Sequence, residues 1–138
     1  MRRVFVDTGA FVALDLADDQ HHGAAVRTFA ALCECRPRFV STNLVFGETY
    51  TTLLARSGRR AALRWGQQMR TGAGIDFVHV DSTLEEAAWE ILESHTDKPW
   101  SYVDAVSFAL MERDGISTAF AFDRHFTQRG LAVVPALG

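Results

Sequence analysis

SYVDAVSFALMERDGISTAFAFD, residues 101–123, carries a helix signal and a strand signal on either side of a single glycine. Residues 101–113 read as a helix, Gly115 marks its end, and STAFAFD, residues 117–123, reads as a short strand closed by an acid. One residue in the helix is out of place. At helical spacing Asp104 lines up with Trp100 and Phe108 at i±4 and with Met111 at i+7. A carboxylate in apolar company is costly unless it is hydrogen-bonded, paired or bound to a cation. Two readings account for it. Ser101 can cap the helix with Asp104 reaching back to the Ser101 N–H, a capping box favoured by the helix dipole. Alternatively Asp104 is a metal ligand and needs further acids from elsewhere in the chain.

Outward from this stretch, strand and helix signals alternate. RVFVD, residues 3–7, predicts a first strand, and the apolar run MRRVFVDTGAFVAL is read with it. HHGAAVRTFAALCEC, residues 21–35, places Ala25, Val26, Phe29, Leu32 and Cys33 on one helical stripe, and Pro37 ends it. RFVST, residues 38–42, predicts a second strand, with Asn43 as cap of a helix reaching about Arg56. A break at SGRR precedes another helix from about Arg59 to Arg70. IDFVHV, residues 75–80, predicts a third strand, and Ser82 with Glu85 predicts a capped helix to His95. LAVVP, residues 131–135, predicts a last strand after a short turn or helix from Arg124 to Arg129. Strands separated by helices of this length imply an α/β fold, a mostly parallel sheet with helices on both faces.

The 138 residues fit one domain with a proper core, and no linker or repeat divides them. A hydrophobic fraction of 48% with 22% charged residues is the composition of a soluble globular protein. No apolar run is long enough for a membrane span, and Asp7 interrupts the start where a secretory signal would continue, so a cytoplasmic location without membrane contact is expected. Cys33 and Cys35 are the only cysteines and read as reduced thiols. The net charge of −3 argues against a protein that holds nucleic acid by charge alone, but a nuclease can let a cation supply the local positive charge. Thirteen of the fourteen basic residues are arginine, which suits bidentate phosphate contacts.

The acids then fall into a pattern. Asp7 closes the first strand and Asp123 the fourth, which puts both at one rim of a parallel sheet, where ligands of such sheets bind. Glu48, in NLVFGETYTTLL, sits early in the helix after the second strand and shares a face with Leu44, Val45 and Thr52, so partial burial is expected. Asp104 lies in the first turn of its helix. Singly, each acid is an ordinary turn former, cap or solvated helix residue. Together, four carboxylates at one edge repel one another and do not all stay ionised unless a divalent cation is bound. Hard oxygen ligands suit Mg²⁺ or Mn²⁺.

VDTGAF, NLVFGET, SYVDAVSFALM and AFDRHF, in this order and spacing, closely resemble the PIN-domain ribonucleases, and most nearly the toxin subunits of bacterial VapBC toxin–antitoxin systems. The resemblance runs from Arg3 to Val134. It implies a three-layer α/β/α sandwich and a Mg²⁺- or Mn²⁺-dependent endoribonuclease whose catalytic and metal-binding acids are Asp7, Glu48, Asp104 and Asp123. Thr8 and Ser101 match the family's small hydroxyl positions. With Arg124, the arginine nearest the rim, and His125 beside Asp123, they are the expected substrate contacts. The resemblance also implies a cognate antitoxin, and a homodimer. DDQHH, residues 18–22, resembles the subfamily as well, without an evident chemical role.

Three other readings are weaker. A non-catalytic interaction module on the same fold would keep the acids as caps and turns and would bind no cation tightly. A receiver-type phosphotransfer domain could use Asp81 as acceptor, but Lys98 is the only lysine and lies before a helix, where it is misplaced. A phosphatase with a D-x-D nucleophile fails because Gly9 occupies the second position. Arg56, Arg59, Arg60 and Arg64 form a basic cluster that reads as a solvated helix face or an RNA contact. Phe46, Tyr50 and Trp65 read as core packing or a partner surface.

Overall fold

The structure is a computed structural model, and it describes residues 2–136. In chain order the elements are β1 (Arg3–Val6), α1 (Thr8–Asp15), α2 (His22–Glu34), β2 (Arg38–Thr42), α3 (Asn43–Ser57), α4 (Arg59–Thr71), β3 (Ile75–Val78), α5 (Ser82–Ser94), α6 (Tyr102–Asp114), β4 (Thr118–Phe120), α7 (His125–Gln128) and β5 (Ala132–Val134). The five strands form one sheet in the order β3-β2-β1-β4-β5, and every neighbouring pair is parallel. The expected α/β class and three-layer sandwich are therefore observed. Helices α1, α2, α3 and α4 pack on one another, and α6 packs on α5 and α7. This division follows from crossover handedness. The chain moves from β1 to β2 to β3 in one direction, then returns across β1 to β4, and right-handed connections in opposite directions cover opposite faces.

The sheet order has a consequence for chemistry. β1 sends its connection toward β2, while its other neighbour, β4, continues toward β5. The strand order therefore reverses between β1 and β4, the place where an open parallel sheet leaves a crevice at its carboxyl edge. Val6 lies opposite Phe120 in the register, and the Asp7 N–H donates to the Phe120 carbonyl over 3.0 Å. Asp7 and the residues after Phe120 thus leave the sheet side by side.

Element α1 is absent from the expectations above. Ala10, Phe11, Val12 and Ala13 are all buried, so this helix is apolar almost all round and offers no helical stripe to read. Its residues continue the apolar run of β1 and resemble an extended strand. Two caps also differ from the expectations. Thr42, not Asn43, caps α3, accepting from the Val45 N–H at 3.1 Å, while the Asn43 side chain accepts from Val80 at 2.8 Å. Asp81, not Ser82, caps α5, accepting from Leu84 at 3.0 Å. In each case the residue one position earlier has the extended backbone that an N-cap needs. No helix among the described residues is long and apolar enough to cross a membrane.

The core runs through the sheet, and an aromatic chain links α7 to it. Phe126 is fully buried, with its ring centroid 5.9 Å from Phe5 of β1 and 5.1 Å from Phe108 of α6. It anchors the segment that follows Asp123. Phe46 and Trp65 pack on each other with ring centroids 5.1 Å apart, and Trp65 is buried. Of the two readings of that aromatic group, core packing is the one the structure supports at Trp65. Phe126→Ala is expected to destabilise the protein by about 3–5 kcal/mol. Urea unfolding should show this as a lower midpoint with an unchanged slope.

Candidate active site

Four acids arrive at the carboxyl rim from four different elements. Asp7 occupies the N-cap position of α1, yet its carboxylate makes no cap hydrogen bond. It is only 5% exposed. A buried aspartate that does not cap its helix has lost the ordinary reason for being there. Asp104, 7% exposed, does cap. Its Oδ2 accepts from the Ser101 N–H at 3.0 Å, and its own N–H donates to the Ser101 hydroxyl at 3.0 Å, a complete capping box. Asp123 lies in the bend between β4 and α7, half-buried, and its Oδ1 accepts from the His125 N–H at 2.9 Å. Strand β4 stops at Phe120 rather than at Asp123, so the expected strand was too long, but the acid still emerges beside Asp7.

His125 joins this group. Its Nδ1 lies 2.7 Å from Asp104 Oδ2 and 3.9 Å from Asp123 Oδ2. A carboxylate accepts, so Nδ1 carries the proton in this bond, and Nε2 is the ring nitrogen left for other partners. Asp104, Asp123 and His125 can each offer a ligand atom within 4.8 Å of the others, the spacing of a cation site. Glu48 differs from expectation. It is exposed, because its position on α3 turns it outward at the rim, away from the buried Val45, Thr49 and Leu53. It remains tied to the site, since the Thr8 hydroxyl donates to Glu48 Oε1 at 2.5 Å. Ser101 is exposed, with its hydroxyl engaged by the cap, and Arg124 is exposed at the start of α7. Two of the four clustered arginines are not free charges. Arg56 is paired with Asp19 at 2.7 Å, and Arg64 faces Asp15.

The electrostatics follow from this crowding. Asp7 is pushed well above the ordinary carboxylate pKa, first by burial and then by the negative charge of Asp123. The Thr8 N–H opposes the shift, while Asp104 and Glu48 add to it. Asp123 is also raised, chiefly by burial and further by Asp104. The His125 N–H, the His125 charge and a hydrogen bond shared with Asp7 hold it back. Protons are thus retained where negative charge is concentrated. The donor set is all oxygen apart from one imidazole, and it carries more negative charge than its own hydrogen bonds can balance. Such a set fits a hard divalent cation.

A carboxyl group with a raised folded-state pKa binds its proton more tightly in the folded protein than in the unfolded chain. Without a cation, the contribution of these two groups to stability is therefore greatest below the ordinary carboxylate pKa and falls as pH rises toward the raised values of Asp7 and Asp123. Asp7→Asn should flatten that fall. In EDTA the variant should melt above the wild type at neutral pH, and the gap should close at acidic pH, in calorimetry across a pH series. Parallel pH profiles for the two proteins would contradict this account.

Comparison with known proteins agrees with the geometry. The PIN domain family matches residues 4–130. The 23S rRNA-specific endonuclease VapC20 of Mycobacterium tuberculosis, from strains CDC 1551 and H37Rv, is 41% identical over 131 residues, covering 95% of this chain and 97% of the relative. The crystal structure of Mycobacterium tuberculosis VapC20, described as a toxin that cleaves the sarcin–ricin loop, superposes with a TM-score of 0.86. That match covers 94% of this chain and 96% of the solved one, at 41% identity. With acids gathered at the carboxyl edge where the strand order reverses and the match to nearly its whole length, this chain belongs to the PIN-domain family.

Proposed function

We propose that the protein is a metal-dependent endoribonuclease, the toxin of a type II toxin–antitoxin pair, with residues 1–138 working as one nuclease domain in the cytoplasm. The observation that carries this reading is the buried, uncapped Asp7, its pKa raised by burial and by Asp123, at the point where the strand order reverses. A side chain that costs stability at rest is explained by what it does when a cation is bound. Asp7, Asp104 and Asp123 would hold that cation, with Mg²⁺ or Mn²⁺ the hard ions such ligands favour. When bound, it supplies the positive charge that makes a water molecule a better nucleophile and offsets the negative charge of the attacked phosphate.

The chain's own residues do the rest. The capping box fixes the Asp104 carboxylate on a rigid helix start, so its direction is set before any ligand arrives. Glu48, exposed and oriented by the Thr8 hydroxyl, is placed to take the proton of the attacking water. The water oxygen forms a bond to phosphorus, the bond to the leaving ribose oxygen breaks, and that oxygen takes up a proton. No serine or cysteine nucleophile is needed. Arg124 and His125, with Thr8 and Ser101, line the approach of the scissile phosphate. The first RNA to try is the sarcin–ricin loop of 23S rRNA, the target of the relative with 41% identity.

The antitoxin has a suitable surface. An apolar groove of about 600 Å³ lies on the side of α1 and α4, lined by Phe11, Leu14, Phe29, Phe39, Trp65 and Met69. Its lining includes none of the four acids. Phe29 and nearby Val26 are exposed on α2, which suits an amphipathic segment laid into the groove. Dimerisation of the toxin belongs to the same proposal.

The reading is tested with sarcin–ricin-loop RNA and total RNA in Mg²⁺, in Mn²⁺ and in EDTA. Wild-type protein should cut in a cation and not in EDTA, and Asp104→Asn should stay folded but lose both cutting and the cation-induced rise in melting temperature. Glu48→Gln should slow cleavage by about 10²- to 10⁴-fold. Intact RNA throughout, with no cation-induced rise in melting temperature, would instead support a non-catalytic module.

A further inference from the structure

Among the described residues two histidines, His21 and His79, have no side-chain hydrogen bond; His79 is exposed, whereas His21 is half-buried. His22, His95 and His125 each have Nδ1 in a hydrogen bond, to Ala13 O at 2.7 Å, Ile91 O at 2.8 Å and Asp104 at 2.7 Å respectively. Among the described residues, neither ring nitrogen of His21 has a protein partner, although the residue is half-buried. Its ring lies against Phe122 instead, with centroids 4.6 Å apart and planes 12° from parallel. Phe122 is half-exposed and directly precedes Asp123, so their Cα atoms are about 3.8 Å apart. On its other side, Phe122 Cβ lies 3.9 Å from where a Cβ on Gly9 would stand, two residues beyond Asp7. The stack therefore borders the acid cluster without belonging to it.

The pile is held from behind. The His21 N–H donates to Asp19 Oδ1 at 2.9 Å, and Asp19 Oδ2 accepts from Arg56 at 2.7 Å. His22 fastens the same turn to α1 through Ala13. An imidazole fixed in place, stacked on one face and unpaired at its edge, presents what an unstacked base requires: a flat surface and a donor or acceptor beside it. The need for it is also clear. The rim is negative and Arg124 is the one arginine assigned to the phosphate there, so a stacked base adds hold that charge alone does not supply.

We infer that the His21–Phe122 stack is a base platform of the nuclease: a nucleobase flanking the scissile phosphate leaves its own stack and packs on the imidazole, positioning the strand over the acids. This rests on the endoribonuclease reading above. It makes His21 a substrate-binding residue and gives a role to the DDQHH stretch, whose Asp19 and His22 hold the platform still.

The test uses a synthetic sarcin–ricin-loop hairpin, and total RNA if the hairpin stays whole, under single-turnover conditions with Mg²⁺. His21→Ala should lower kcat/KM by roughly five- to 150-fold, the range for losing one stacked base. Its melting temperature and its cation-induced thermal shift should stay those of the wild type. His21→Phe, which keeps the flat ring, should recover most of the loss. An abasic nucleotide at the stacked position should cost the wild type the same factor and cost His21→Ala nothing more. Wild-type rates for His21→Ala, or equal abasic penalties in both proteins, would overturn the platform while leaving the nuclease intact. Should His21→Ala not fold, the abasic series on the wild type and on His21→Phe decides: no flanking position with a penalty means no platform. If the wild type itself cuts neither RNA in any cation, the nuclease reading falls and the platform with it.

Discussion

The repulsion among carboxylates packed at the mouth of one crevice is the constraint on which this structure turns. Asp7 and Asp123 are brought together because β1 and β4 are neighbours, and Asp104 is added by the first turn of α6. The resulting strain is electrostatic, and it goes with the raised pKa of Asp7 and Asp123. The rest of the fold opposes it. The Phe5, Phe108 and Phe126 rings tie β1, α6 and α7 into one apolar block, so the acids cannot spread apart without opening the core. Local features that violate the usual rules of burial, held by a conventional core, are what a functional site looks like in physical terms.

Much of this could be read in the residues. Alternating strand and helix signals were enough for the parallel sheet, and strands that end on an acid were enough to place Asp7 and Asp123 at one rim. Of the two readings of Asp104, the cap is observed, and the same carboxylate lies beside His125 and Asp123, the company a ligand would need. What escaped the sequence did so for identifiable reasons. Helix α1 is buried on nearly every side and lacks a periodic face. The capping residues of α3 and α5 were misplaced by one position, since Thr42, Asn43, Asp81 and Ser82 are all good caps and only the backbone chooses between them. The exposure of Glu48 depended on which way α3 is rolled against the sheet. The His21–Phe122 stack joins residues about a hundred positions apart, and no local pattern announces it.

The acid rim and the apolar groove share an element. The start of α1 supplies Thr8, which holds Glu48, and its body supplies Phe11 and Leu14 to the apolar groove. A helix of eight residues is too short to bend independently at its two ends. A segment that displaces α1 from the groove side therefore displaces the hydroxyl that orients Glu48.

The capping box at Ser101 and Asp104 bears on how such a gene can change. Asparagine keeps an oxygen that can accept the Ser101 N–H, so it preserves the helix start while discarding the negative charge. An aspartate codon becomes an asparagine codon by a single base change. The route from an active enzyme to a folded, silent one is thus short at this position. A lineage that takes it retains every surface outside the crevice, free to be kept for binding alone.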